Sequence, residues 1–151
     1  MRISQKAECG TRVMLELALH YGQGLVPLSR IARTQGISLK YLEQIIRPLR
    51  RAGMVRGVRG ASGGYRLARP PWEIRVGEMI RALEEPMEPV DCLREETHCQ
   101  RAQGCKARGI WADLHRIVQE ALDNLTLQEV LQRAPSAHGQ ATAPCAHGKG
   151  G

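Results

Sequence analysis

The sequence lacks the features that define several large classes of protein. No uninterrupted apolar stretch approaches the roughly 20 residues needed to cross a bilayer, and the opening MRISQKAECGTR has no apolar segment typical of a secretory signal. No Cys–His nucleophile pair, carboxylate dyad or cofactor loop can be assigned to a pocket, which argues against an enzyme. We therefore expect a cytoplasmic protein with neither a membrane partner nor catalytic residues.

The cysteines lack the arrangement that zinc sites and disulfide frameworks use. The total of five is odd, and no CxxC pair occurs anywhere, so structural zinc and a closed set of disulfides are both disfavoured. Three of them lie in the polar stretch CLREETHCQRAQGC, residues 92–105, and such polar neighbours argue against buried structural cysteines. Thiolate ligation of an iron–sulfur cluster fits a reduced compartment and such long spacers, while a two-cysteine disulfide switch stays open.

Positive charge is concentrated in the first half of the chain. The net charge is +7; residues 1–69 carry 13 Lys and Arg against 3 Asp and Glu, and the remainder carries 9 against 12. This asymmetry indicates a basic face for an anionic polymer, although a solvated arginine-rich surface would give the same composition. The functional interpretation gains force only if a fold pattern coincides with the basic half.

A helix-turn-helix pattern does lie in the basic half. Apolar residues at helical spacing predict helices over 7–20, 28–34 and 39–51. Gly36 supplies the turn between the second and third helices, and Ser38 is suited to cap the third. Two short helices joined by a glycine turn are typical of this DNA-binding motif.

A basic hairpin follows the third helix directly. Residues 54–69, MVRGVRGASGGYRLAR, place apolar residues on two arms around a glycine-rich tip. A phosphate-binding glycine turn is the alternative, but neither a helix N-terminus nor a Walker lysine follows it. A wing of this kind reaches along the adjacent minor groove. We therefore expect a mainly α-helical fold with a small β-wing, and double-stranded DNA as the partner.

The pattern divides the chain into four regions. They are a winged helix-turn-helix domain over 1–83, a cysteine-rich cluster-binding loop over 84–106, a dimerisation helix and short C-terminal helix over 107–133, and a disordered tail over 134–151. A short strand is expected near 72–75, before a helix over 76–83. The apolar stripe of the long helix could face the core or a second subunit, and Thr126 to Glu129 match a capping box.

Together these stretches resemble the Rrf-two (Rrf2) family of bacterial winged-helix regulators, and most of all its IscR-like branch. The matching segments are MRISQKAECGTRVMLELAL, PLSRIARTQGISLKYLEQII, VRGVRGASGGYRLAR, VGEMIRALEEP, the three-cysteine loop and IWADL…LDNLTLQEVL. The resemblance implies a homodimer that binds imperfect palindromes and regulates transcription, with repression as the expected effect and RNA polymerase as an indirect partner. It also implies an iron–sulfur cluster on the three cysteines.

The third helix and the wing carry the expected DNA contacts. Side chains at the start of the helix should meet base edges, where Gln can pair with adenine. Glu43 repels phosphate but can accept from cytosine N4, so it is either a specificity filter or an ordinary surface residue. Arg59 is expected to enter the minor groove. The predicted DNA-binding residues are Ser38, Lys40, Tyr41, Glu43, Gln44, Arg47, Arg56, Arg59, Ser62 and Gly63.

Three cysteines leave a fourth ligand to be identified. IscR-like proteins use a histidine three residues after the last cysteine, but that position holds Arg108, which cannot ligate iron. Other branches of the family use a carboxylate of the N-terminal helix, sometimes from the partner subunit, and Glu8 stands at the matching position. The predicted metal ligands are Cys92, Cys99, Cys105 and Glu8, with Cys9 and His98 as alternatives and His115 as a more distant one. A two-iron cluster is favoured over a four-iron cluster, without being decided.

Three functions follow from these observations. The leading hypothesis is a transcriptional regulator that senses iron–sulfur status, redox state or nitric oxide through the cluster, which shifts the two recognition helices on gain, loss or oxidation. The second is a cluster-free, thiol-redox-responsive repressor. The third is a metal-trafficking protein without DNA binding, which the intact helix-turn-helix and arginine-bearing wing disfavour.

Overall fold

Helices and one small antiparallel hairpin form the part of the chain that the computed structural model describes, which is residues 3–84, 88–94 and 99–133. The helices in these ranges are α1 (Gln5–Leu19), α2 (Leu28–Gln35), α3 (Leu39–Arg51), α4 (Val76–Leu83), α5 (Lys106–Asp123) and α6 (Leu127–Arg133). The strands are β1 (Val55–Val58) and β2 (Gly64–Leu67), and Asp91–Leu93 form a 3-10 turn. The expected fold class, mainly α with a β-wing, is confirmed. No helix in the described ranges is long and apolar enough to cross a membrane.

The turn between α2 and α3 has a local cause in the sequence. Gly36 ends α2 with φ of 63°, a left-handed conformation that costs glycine little. The N–H of Ile37 then donates to the carbonyl of Ala32 at 3.0 Å, which satisfies a free carbonyl at the helix end. Two residues on, the hydroxyl of Ser38 accepts from the N–H of Tyr41 at 3.2 Å and starts α3. The predicted helix-turn-helix is therefore present.

One hydrophobic core holds α3 against α1 and α4. The apolar stripe of α3 is fully or almost fully buried, with Leu42, Ile45 and Leu49 at 0% exposure. Each such side chain contributes about 1.5–3 kcal/mol through burial. The stripe fixes the rotation of α3 about its axis, and so decides which of its side chains face outward. The other fully buried large residues include Met14, Leu17, Ile31, Met54, Ile74, Met79 and Leu127.

The hairpin is tied to the helices through its second strand. Val55 pairs with Leu67 on the buried face of the sheet, and Arg56 pairs with Arg66 on the exposed face. Val26, between α1 and α2, forms a bridge with Tyr65, in which the N–H of Val26 donates to the Tyr65 carbonyl at 2.8 Å. The wing is therefore positioned by the helix-turn-helix rather than by a linker.

The strand expected near 72–75 is absent, which corrects the sequence prediction. Residues 71–73 form a turn, and Arg75 makes only an isolated bridge with Thr126. A strand needs a partner strand, and of the described residues only Thr126, far along the chain, pairs with this segment, so no ladder builds up there. The helix over 76–83 is confirmed. The capping box is confirmed as well, because the hydroxyl of Thr126 accepts from the N–H of Glu129 at 3.2 Å and the carboxylate of Glu129 accepts from the N–H of Thr126 at 2.8 Å.

The long helix α5 has no buried residue along its length. It is joined to α4 by Arg81, which donates to Gln119 at 2.8 Å and to Asp123 at 2.7 Å. Large apolar side chains on α5 remain exposed, namely Ile110 at 66%, Trp111 at 40%, Leu114 at 39% and Ile117 at 55%. The sequence allowed this apolar stripe to face either the core or a second subunit, and within this chain it does not face the core.

Candidate nucleic-acid interface and cysteine loop

Four of the predicted DNA-contacting side chains share one exposed face of α3. Lys40, Glu43, Gln44 and Arg47 are all exposed, at the three- and four-residue spacing that keeps side chains on the same side of a helix. None of the four lies on the apolar stripe that anchors α3 in the core. A helix presented in this way, near its N-terminal end, is suited to enter the major groove.

Ser38 and Tyr41 differ from the other predicted contacts because each has a structural task. The oxygen of Ser38 caps α3, while its O–H can still donate to an acceptor on a partner. Tyr41 is half-buried against the core, and its burial raises the pKa of the phenol above the usual 10.0. The ring therefore stays neutral and can donate or accept one hydrogen bond at the edge of the interface.

The tip of the wing is closed more tightly than its glycine content suggests. The N–H of Gly63 donates to the carbonyl of Gly60 at 2.9 Å. A side chain at position 63 would come within 3.0 Å of backbone atoms of Val58, Gly60 and Arg59, so only glycine fits there. Arg59 and Ser62 are exposed on either side of this turn. Gly63 thus shapes the tip, and Arg59 and Ser62 are the side chains that a groove could meet.

The three loop cysteines lie beside the N-terminus of α5. Cys92 belongs to the 3-10 turn and is half-buried, while Cys99 and Cys105 are exposed. Cys105 is the N-cap of α5 and makes no side-chain capping hydrogen bond. His98 lies outside the described residues, and His115 is half-buried on α5.

Glu8 and Cys9 sit on different faces of α1. Glu8 is exposed and forms an ion pair with Arg12 at 3.1 Å. Cys9 has 0% exposure and belongs to the hydrophobic core. An exposed carboxylate is available to a ligand brought up from outside the helix, whereas the sulfur of Cys9, which is buried and disulfide-bonded, is not. Burial therefore favours Glu8 over Cys9 as a donor.

The donor types suit a thiolate-bound metal centre, but the described residues do not assemble one. No group of three or more Cys, His, Asp and Glu side chains in ranges 3–84, 88–94 and 99–133 comes together in a way that could hold a metal ion. Cys92, Cys99 and Cys105, the described cysteines of the loop, are not gathered into such a group.

Arg108 has a role that the sequence did not reveal. Its Nε donates to the backbone carbonyl of Cys92 at 3.0 Å, across 16 residues of chain. The side chain that replaces the expected histidine ligand thus fastens the turn containing Cys92 to the first turn of α5. The sequence shows Arg108 after the last cysteine, but no sequence pattern predicts that its partner is the backbone carbonyl of Cys92.

A helix-turn-helix with an outward polar face, followed by a basic hairpin, defines a winged-helix DNA-binding protein. Comparison with known families gives the narrower assignment: a family model described as Rrf2, iron-dependent transcriptional regulator, matches residues 3–133. The chain belongs to the Rrf2 family of transcriptional regulators. Membership of this family also confirms the expectation that the chain is not an enzyme.

Two relatives represent different regulators within the family. The transcriptional regulator CymR of Bacillus subtilis is 41% identical over 130 residues, which are 86% of this chain and 89% of that protein. The transcriptional regulator IscR of Aliivibrio salmonicida is 41% identical over 131 residues, which are 87% of this chain and 77% of that protein. Sequence identity therefore does not separate these two kinds of relative.

The similar solved structures also include both CymR and IscR. The structure of CymR, described as the global cysteine regulator of B. subtilis, matches with a TM-score of 0.74 and 39% identity, over 89% of this chain and 99% of that one. The structure of T. potens IscR matches with a TM-score of 0.72 and 38% identity, over 95% of this chain and 94% of that one. Both matches confirm the winged-helix fold.

Proposed function

We propose that this protein is a homodimeric transcriptional repressor whose affinity for a palindromic operator is set by the state of its cysteine loop. The observation that carries the proposal is the direct connection between the two regions. α4, which packs on α1 and α3, runs straight into the loop. A change in the loop therefore acts on helices that hold the recognition helix in place.

The contacts at the end of α4 support this connection. Leu83, the last residue of α4, packs against Gly10 of α1 so closely that an added Cβ would lie 2.5 Å from its Cδ1. The next residue, Glu84, accepts a hydrogen bond from the backbone N–H of Ser4, the N-cap of α1. The loop thus begins beside the first turn of α1, which also carries Glu8.

DNA binding in the proposal rests on α3 and the wing. Lys40, Gln44 and Glu43 would meet base edges, with Glu43 accepting from cytosine or excluding other bases. Arg47 and Arg56 would contact phosphates, and Arg59 would enter the minor groove beside Ser62 and the Gly63 turn. Phosphate contacts of this kind position the protein, whereas the α3 side chains select the sequence.

Dimerisation in the proposal uses the exposed apolar stripe of α5. Ile110, Trp111, Leu114 and Ile117 expose a contiguous set of large apolar side chains, an arrangement that marks an association surface. A second copy of the chain is the occupant we infer, because an isologous pair of α5 helices sets two recognition helices for two half-sites. The loop at the N-terminus of α5 then lies next to the seam.

The ligand of the loop in the leading version is an iron–sulfur cluster. Cys92, Cys99 and Cys105 would supply three thiolates, and Glu8 of the same or the partner subunit would supply a carboxylate. Such a cluster would provide a site that responds to iron supply, oxidants or nitric oxide. The uncapped N-terminus of α5 supports the proposal, since its N–H groups favour negative charge nearby.

The experiment is anaerobic reconstitution with iron and sulfide, followed by visible absorbance and iron and sulfide analysis. We expect cluster absorbance in the wild-type protein, its loss in Cys92→Ser, and an altered spectrum or faster loss of iron in Glu8→Ala. Cys9→Ser should behave as wild type, because Cys9 is buried. Uptake of zinc alone, or of no metal, by the wild-type protein would contradict the cluster.

A cluster-free thiol switch is the second candidate, and two observations favour it. The described residues do not gather three donors, and CymR, described as a global cysteine regulator, is as similar to this chain as IscR. In this version oxidation of two loop thiols to a disulfide, with the two electrons and two protons passing to a peroxide, would change the loop. Mass spectrometry of the peroxide-treated apo-protein would then find a disulfide among the loop cysteines and a matching change in DNA affinity.

A further inference from the structure

We propose that a cleft at the base of the wing, which joins Arg56 to Arg66 and Tyr21, two residues given no role above, is an oxyanion site built for a phosphate group. The cleft has a volume of about 480 Å³ and lies between the 21–24 loop and the exposed face of the hairpin. Arg56, Arg66 and Tyr21 line it. Its size falls within the range of ordinary ligand sites, which is about 300–1,000 Å³.

The first argument is the placement of two like charges opposite each other. Arg56 and Arg66 are direct partners in the register of β1 and β2, and both are exposed. Like charges in such a pair destabilise a hairpin. Neither guanidinium forms an ion pair or hydrogen bond with a described residue, and none of the described residues that line the cleft is acidic. An anion held between them would remove the repulsion, and two guanidinium groups match the several oxygens of a phosphate.

The second argument is that the opposite wall is rigid and open. Tyr21 is 39% exposed and packs edge-on against Trp72, with ring centroids 5.6 Å apart and an angle of 87° between the planes. Such pairs hold an aromatic ring in a fixed orientation. Gly22 and Gly24 add no side chain to this wall, and an added Cβ at either would meet nothing within 4 Å. The glycines therefore leave space beside Tyr21 for a phosphate opposite the two arginines.

Two kinds of molecule carry such a phosphate group, and the two arginines would bind either one through the same charge-assisted hydrogen bonds. One is the backbone of the DNA that the wing contacts, and the other is a free phosphorylated compound that would bind at the base of the wing. In the first case the inference rests on the proposed DNA-binding function and adds Arg66 to its contacts. In the second case the site is independent of DNA.

The test uses Arg66→Gln, because Arg66 has no role in the proposed interface, and Arg133→Gln as a control. Arg133 is an exposed arginine at the end of α6, so the control removes the same charge elsewhere. Inorganic pyrophosphate is titrated into the DNA-free protein by calorimetry. We expect Arg66→Gln to weaken binding about tenfold through loss of charge-assisted hydrogen bonds, and Arg133→Gln to leave it unchanged. Arg66→Lys, which keeps the charge and the stem, should give an intermediate loss and so separates recognition from misfolding.

The second arm measures the salt dependence of binding to a duplex that the wild-type protein has selected from a random pool. The slope of log K against log salt is negative, and each lost phosphate contact reduces its magnitude by roughly 0.9. A shallower slope for Arg66→Gln than for Arg133→Gln identifies DNA as the source, and loss of pyrophosphate binding with an unchanged slope identifies a free compound.

Unchanged pyrophosphate binding together with an unchanged slope in Arg66→Gln would overturn the site. A wild-type protein that selects no duplex would instead contradict the proposed function. The pyrophosphate arm would then decide the site alone.

Discussion

At the scale of single residues, Arg108 controls how far the segment around Cys92 is held in place. Its guanidinium joins the first turn of α5 to the carbonyl of Cys92 at 3.0 Å. Cys92 is half-buried as a result, whereas the other two loop thiols are exposed. The loop therefore offers one restrained thiol and two accessible ones, and a residue that cannot ligate metal decides the difference.

Replacing Arg108 should expose Cys92. In Arg108→Gln we expect the alkylation rate of Cys92 to rise several-fold relative to Cys99 and Cys105, because the turn loses its fastening to α5. Peptide mass spectrometry after a timed iodoacetamide reaction measures all three rates in one sample. Arg101→Gln removes a charge from the exposed turn 101–104 and should change none of them. An unaltered rate at Cys92 in Arg108→Gln would mean that the hydrogen bond does not hold the turn.

At the scale of elements, the crossing of α1 and α4 is the contact through which we propose that the loop acts on the recognition helix. Gly10 permits the close approach, since Leu83 lies where its Cβ would be. Leu83 itself is buried at 3% exposure, so it has little room to move aside. α4, which precedes the cysteine loop, is thus closely packed against α1, and α1 in turn supports α3.

Gly10→Ala tests this crossing. We expect a loss of about 1–3 kcal/mol in the free energy of unfolding from overpacking. Gly109→Ala is the matched control, because position 109 is also helical but an added Cβ meets nothing within 4 Å. That control should gain about 0.5–1 kcal/mol from the higher helix propensity of alanine. Urea unfolding of both variants gives the comparison, and equal stabilisation by the two alanines would refute the close crossing.

Most elements could be predicted from the sequence because their causes are local. Ser38, Gly36 and the Thr126 capping box act within a few residues, and the predicted bounds of the helices lie within two residues of those observed. The failure at 72–75 has a non-local cause, because a strand needs a partner and only Thr126 is available.

The candidate site was predictable on α3 but not in the loop. The outward face of α3 follows from its buried stripe, which the apolar spacing already marks. The surroundings of the cysteines depend on contacts across many residues, such as the bond from Arg108 to Cys92, and on donors that the described part of the chain does not gather. Burial of Cys9 likewise depends on how α1 packs, and the sequence does not distinguish it from its exposed neighbour Glu8.

At the scale of the whole molecule, α5 is the helix through which we propose that sensing is linked to operator geometry. The helix begins at the last loop cysteine and carries the exposed apolar stripe through which we propose that two copies associate. Its other side is tied to α4 through Arg81. In the proposed dimer, a change at the loop would reach both the subunit contact and the helices behind α3, which together would set the spacing of the two recognition helices.

A charge in the stripe should separate the subunits. We expect Ile117→Glu to sediment as a monomer and to lose at least about tenfold in operator affinity, because a carboxylate would be buried without a partner. Gln119→Glu introduces the same carboxylate two residues away, where Arg81 can donate a hydrogen bond to it, and this variant should remain dimeric. Sedimentation velocity at several concentrations distinguishes these outcomes. A dimeric Ile117→Glu variant would place the subunit contact elsewhere.

The coupling of the cysteine loop to DNA binding is tested most directly by one comparison of affinities. The affinity for the selected duplex is measured at fixed salt before and after anaerobic reconstitution. The same titrations are made on a variant with serine at Cys92, Cys99 and Cys105. We predict that reconstitution changes the affinity of the wild-type protein at least about fivefold, the lower range of measured coupling between sites, and leaves the variant unchanged. Equal responses of the two proteins would contradict the account.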